Sequence, residues 1–210
     1  MGWIDVTVPI RRGMVRWPGD PPVEVDRRLE IGRGSDLSIS YLMMSSHTGT
    51  HMDAPLHFIQ GGAPLDVMPL EAVVGPARII EIRDPDSIKP AELEEHDIKP
   101  GERLLFKTAN SSERWEGKEF MEEYVHITPE SARLLAERGV MTVGVDYLSV
   151  AAPGPEAARV HVTLLSSGVW IIEGLYLGDA PPGECDLICL PLSVEGIEGA
   201  PARVIVRPLG

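Results

Sequence analysis

The sequence predicts an α/β domain built on a mixed sheet, and three observations lead there. Apolar residues make up 43% of the chain and charged residues 24%, the composition of a soluble globular protein. Strand-like runs carry most of the apolar content. The helical segments between them follow no even βαβ rhythm, and none opens on a Gly-rich phosphate loop. At 210 residues the chain is long enough for one sizeable core and short for two, so a single domain over residues 1–210 is expected.

Taken in order, the strand candidates are "WIDVTVPI", "LSISYLMMS", "ARIIEIRD", "RLLFKT", "VMTVGVD", "VWIIEGL", "CDLICLPL" and "RVIVRPL", each apolar and bounded by Gly, Pro or Asp. The best helix is "TPESARLLAERG". Thr128 suits the N-cap, Pro129 the first helical position, Glu130 the positive end of the dipole and Gly139 the stop, which turns Leu134 and Leu135 to the core. Shorter helices are expected over residues 66–74, 90–96 and 156–165, and "EHDIKPGERL" reads as a helix end followed by a tight turn.

Nineteen basic against 32 acidic residues give a formal charge of −13, with no electropositive stripe for a phosphate backbone or an anionic membrane. Small molecules are the partners this leaves. The N-terminal segment lacks the charged-then-apolar run of a secretory signal, and nowhere do 18 apolar residues follow one another, so a cytoplasmic location is expected. Cys185 and Cys189 share one face of a strand with their Cα atoms roughly 13 Å apart, beyond disulfide reach. They read as buried free thiols, whose apolar setting argues against a thiol enzyme.

The densest chemistry lies in "SSHTGTHMDAP", where His47, His51 and Asp53 fall within seven positions. Two Thr and a Gly make "HTGTH" a poor helix. In an extended chain residues 47, 51 and 53 share a face, but about 13 Å separates the two histidines, too far for one ion. The chain must bend, and Gly49 permits a bulge or turn without a Cβ clash. His, His and Asp suit Zn²⁺ or Mn²⁺ better than Mg²⁺ or Ca²⁺, which prefer oxygen alone. The bland alternative is a polar strand end with solvated histidines.

A second constellation is "HVTLLSSGVWIIEGLYL". His161 falls on a helix that Ser167 and Gly168 end, and the strand running back carries Glu173 to a similar height. A carboxylate within an apolar run needs a cation, either a metal shared with the first cluster or a structural Arg.

His47, Gly49, Thr50, His51, Asp53, Pro55 and His57 match every fixed position of His-x-Gly-Thr-His-x-Asp-x-Pro-x-His. On these residues the chain resembles the metal-dependent cyclase superfamily, and "KTANSSERW" and "HVTLLSSGVWIIEGL" extend the likeness in order. Within that superfamily it is similar to the bacterial kynurenine formamidases, which hydrolyse N-formylkynurenine to kynurenine and formate in tryptophan catabolism.

The resemblance implies a curved mixed sheet with a barrel-like core flanked by helices, a homodimer, and a pair of zinc ions. Manganese serves some relatives. The implied metal ligands are His47, His51, Asp53, His161 and Glu173, with Asp53 as the bridge. The implied acid/base is His57, whose displacement by Pro55 suits a group beside the metal, a sixth ligand or an orienting residue being the alternatives. In "WPGDPP", residues 17–22, Trp17 is either a stacking platform for an aromatic substrate or a ring packed on a turn, and the resemblance favours the former. "DYLSV", residues 146–150, departs from the formamidases at Tyr147 and Leu148 and is expected to reshape the pocket. Isatin hydrolase-like opening of a cyclic amide or ester, and a non-catalytic metal-stabilised binding module, are the rival functions.

Overall fold

The computed structural model describes residues 2–113 and 119–209. In chain order the strands are β1 (Ile4–Asp5), β2 (Glu24–Leu29), β3 (Ile39–Met43), β4 (His51–Asp53), β5 (Val74–Glu81), β6 (Ser87–Ile88), β7 (Arg103–Lys107), β8 (His126–Ile127), β9 (Thr142–Val145), β10 (Trp170–Glu173), β11 (Gly183–Pro191) and β12 (Gly199–Pro208). The helices are α1 (Pro90–Leu93), α2 (Asn110–Glu113), α3 (Pro129–Glu137) and α4 (Pro155–Ser166).

The main sheet runs β1-β12-β11-β5-β7-β9-β10-β4, and β4 pairs again with β12. That last pairing closes seven strands into a barrel, with β1 paired outside the ring, so the expected curved mixed sheet closes on itself. The links β5–β7, β7–β9 and β9–β10 are parallel, and the remaining four are antiparallel.

This division explains the sequence pattern. Along the parallel arm, Ile79, Leu105 and Ile172 enter the core that also holds Cys185, Leu187 and Cys189. Their neighbours Ile80, Leu104, Phe106 and Ile171 pack under α3 and α4. Both faces are covered, so these strands read as unbroken apolar runs. Along β11 and β12 burial alternates, which is the signature of a half-covered antiparallel strand. Both cysteines are buried free thiols.

The helix over Pro129–Glu137 forms as its sequence indicates: the Thr128 hydroxyl accepts from Ser131 N at 3.2 Å, and Leu135 is fully buried. α4 is the expected third short helix. Three expectations need correction. Residues 66–74 form no helix but two 3-10 turns, Leu65–Val67 and Leu70–Ala72, because Pro69 separates them and β5 begins at Val74. The helix expected over 90–96 stops at Leu93. "WIDVTVPI" contributes only β1 and a bridge from Thr7 to Leu175. Of "KTANSSERW", Arg114 and Trp115 lie outside the described residues.

Besides the main sheet there are two two-stranded ones among the described residues, β6–β8 and the β2–β3 hairpin, whose Val25 packs against the core while β3 faces out. Every residue of β3 is exposed, including Ile39, Tyr41, Leu42 and Met43.

Candidate metal centre

The site forms on the outer wall of the barrel where β4, β10 and α4 meet. Met52 and Ile172 belong to the barrel core, so alternation turns His51, Asp53 and Glu173 outward. The antiparallel register sets Glu173 directly opposite His51 and Ile171 opposite Asp53, which fixes the first pair as cross-strand neighbours. His51 Nε2 and Glu173 Oε2 lie 3.2 Å apart.

His47 reaches the same face by the bend expected at Gly49, whose φ of +66° is left-handed. His47 Nδ1 ends 2.9 Å from Asp53 Oδ1. Gly174, at φ +72°, packs against the Gly49 carbonyl so closely that no Cβ fits between them. The end of β10 is thereby locked to the bend.

His161 comes from the middle of α4, on its buried face. Its Nε2 lies 3.2 Å from Glu173 Oε1 and 3.6 Å from Asp53 Oδ2. The Glu173 partners are thus two histidines and the Val150 N–H, which donates to Oε1 at 2.7 Å. The structural Arg considered from the sequence is not among these partners.

Backbone carbonyls orient two of the rings. His51 Nδ1 donates to Gly49 O at 2.9 Å and His161 Nδ1 to Ala157 O at 2.7 Å. Each Nε2 is left facing the carboxylates, the arrangement that presents a lone pair to a cation. Among the described residues the buried His47 Nε2, His51 Nε2 and Asp53 Oδ2 have no hydrogen bond, a costly state that a bound cation would relieve. Two triads offer atoms within 4.8 Å of one another, His47/His51/Asp53 and Asp53/His161/Glu173. Asp53 belongs to both. The donor set is nitrogen and oxygen in the mixture that borderline divalent ions take.

The electrostatics are those of a buried ion cluster. Burial pulls His51 down, but the facing carboxylates of Glu173 and Asp53 outweigh this and raise it from 6.5 to about 9. Burial pushes Glu173 up, yet His161 and His51 hold it well below the usual carboxylate range.

His57 stands beside the cluster. Pro55 turns the chain into the 3-10 turn Pro55–His57, and the imidazole stacks on that of His47 with centroids 4.0 Å apart. Burial lowers its pKa against the opposing pull of Asp53, which favours the neutral ring.

A cavity of about 160 Å³ opens over these groups, lined by Trp17, Asp20, Leu148 and Ser149 besides the histidines and Glu173. One ordered water needs only about 10–15 Å³ on this measure, so the space suits a molecule. Trp17 lines it and meets Phe120 edge-on at 5.0 Å. At the departure noted in the sequence, Leu148 forms cavity wall while Tyr147 is fully buried behind it, 4.6 Å from the Tyr124 ring. Sequence reasoning passed over Asp20 and Ser149: the first sits in the quoted "WPGDPP" and the second in "DYLSV", but no spacing rule ties either to the metal cluster.

Comparison with known proteins adds a family. The cyclase family model matches residues 4–152. Kynurenine formamidase from Bacillus cereus (strain ATCC 14579) is 34% identical over 207 residues, which cover 99% of this chain and 98% of that protein. The kynurenine formamidase of Bacillus thuringiensis (strain Al Hakam) is equally similar over the same span. Among solved structures, a predicted metal-dependent hydrolase from Bacillus stearothermophilus superposes with a TM-score of 0.85 at 35% identity, covering 98% of this chain and 97% of that one. Isatin hydrolase A from Labrenzia aggregata has a TM-score of 0.84 at 24% identity, covering 98% of this chain and 93% of its own. At that identity the likeness is one of fold.

Proposed function

The chain belongs to the cyclase family, and on that premise we propose that it is a metal-dependent amide hydrolase, a kynurenine formamidase that cleaves N-formyl-L-kynurenine to L-kynurenine and formate. One observation supports the reading: His47, His51, Asp53, His161 and Glu173 converge beside His57 at a cavity that Trp17 also lines. The full-length similarity to kynurenine formamidases supports the substrate.

We assign those five groups as ligands of two zinc ions, with Asp53 common to both because it completes both triads; manganese is the other ion the donor set suits. Ions held there would acidify water and polarise a carbonyl. His57 takes a proton from the attacking water as its oxygen bonds to the formyl carbon, and returns a proton to the aryl amine nitrogen as the C–N bond breaks. Trp17 stacks on the substrate ring. Leu148 and Ala157 keep water from that face.

Residues 1–210 act as one cytoplasmic hydrolase domain, and two copies associate as a homodimer through the β2–β3 hairpin. A two-stranded hairpin is marginal by itself, and Ile39, Tyr41, Leu42 and Met43 of this one are exposed, apolar side chains that a second copy would cover. No helix among the described residues is long and apolar enough to cross a membrane.

The decisive experiment incubates metal-loaded protein with N-formyl-L-kynurenine and follows kynurenine release, with isatin as a parallel substrate. Kynurenine release is expected. No release, with isatin opened instead, would replace the formamidase assignment by lactam hydrolysis.

A further inference from the structure

Asp20 is a cavity residue that the ligand set and the acid/base leave unused. It sits on the turn that also carries Trp17: Asp20 N donates to Trp17 O at 3.1 Å, Gly19 takes φ +96°, and Pro18, Pro21 and Pro22 stiffen the segment. The neighbouring cation, Arg16, spends its Nε on the Asp20 backbone carbonyl at 2.8 Å. Among the described residues the Asp20 carboxylate has no hydrogen bond or ion pair.

The rest of the lining makes that carboxylate selective. Glu173 is consumed by His51, His161 and Val150, and among the described residues neither Lys nor Arg lines the cavity. Among the described lining residues Asp20 is therefore the fixed charge left for a substrate to meet, half-buried on the turn that carries Trp17. A lone carboxylate on an apolar rim recognises a cation, and an ammonium that donates to it gains a charge-assisted hydrogen bond.

We propose that Asp20 is a specificity-determining residue that binds the ammonium of an amino-acid side arm on an aryl formamide. Trp17 and Asp20 then act as one unit, the ring holding the aryl group and the carboxylate the amine. This rests on the formamidase reading, which predicts an aryl substrate bearing such an arm.

The test compares N-formyl-L-kynurenine with 2-formamidoacetophenone, which keeps the ring, ketone and formamide but lacks the amino acid. In Asp20→Asn the kcat/KM ratio of the first to the second should fall about tenfold, through KM, as expected for loss of a partly exposed charged hydrogen bond. Asp20→Glu should restore most of it. An unchanged ratio would overturn the proposal. Calorimetric binding of L-kynurenine against 2-aminoacetophenone repeats the comparison without turnover. If neither formamide is cleaved but kynurenine binding still depends on Asp20, the formamidase reading fails and the ammonium site stands; equal loss for both ligands in Asp20→Asn would overturn the site.

Discussion

His57 and Glu173 both belong to the candidate centre, yet substitution should separate them. His57 stacks on His47 without contributing to either triad. His57→Ala should therefore keep its metal, measured by elemental analysis, while kcat falls by roughly 10²–10⁴, the usual contribution of a general acid/base. A variant that loses both would make His57 a ligand instead. Glu173→Gln retains an acceptor for the Val150 N–H but removes the charge that faces His51 and His161. Its metal affinity should drop by more than the roughly 10–100-fold that loss of an outer partner costs. Metal binding at wild-type strength would remove Glu173 from the ligand set.

At the scale of elements, the site depends on how two backbones touch. The bend at Gly49 and the end of β10 at Gly174 have positive φ and lie in direct contact, and Gly174 N donates to Tyr147 O at 2.7 Å. Gly174→Ala would drive a methyl into the Gly49 carbonyl and strain its own backbone. Overpacking of this kind costs roughly 1–3 kcal/mol, so denaturant unfolding should shift accordingly and bound metal should fall with it. An unaltered midpoint with full metal would show that the contact is not needed. Gly199 has a related role on β12, because a Cβ there would lie 2.6 Å from the His47 ring.

For the molecule as a whole, closure of the barrel and exposure of the hairpin make separate predictions. Cys185 and Cys189 point into the closed core, and burial raises both thiols, Cys185 to about 11. In the native protein neither should react with iodoacetamide at pH 8, and both should react once denaturant opens the barrel; fast native labelling would contradict the closed core. The hairpin prediction concerns assembly. If the proposed dimer forms through this hairpin, the double variant Tyr41→Glu with Leu42→Glu, which places charge on both faces of β3, should be a monomer by light scattering and the unaltered chain a dimer. A dimer that survives the change would move the interface elsewhere.

Much of the candidate centre was legible because the residues proposed as its ligands obey local rules. His47, His51 and Asp53 lie within seven positions, strand alternation puts His51 and Asp53 on one face, and the one residue able to bend the chain is a glycine. Glu173 betrayed itself as a charge inside an apolar run. The fold class followed from the strand runs, and α3 from its cap, its Pro and its terminal Gly. The hidden parts depend on distant pairing. Whether the sheet closes is decided by β4 meeting β12, some 150 residues later, and no local periodicity encodes a partner. The choice between a metal and an Arg for Glu173 rests on the β4–β10 register, which sets His51 opposite it. Asp20 became visible only when the turn carrying it folded over the cavity. Composition, spacing and alternation are properties of neighbours in sequence and so determined the ligand types, most of the strands and the bend. Closure, register and the cavity wall arise from contacts between residues far apart in the chain, and these only the tertiary structure decided.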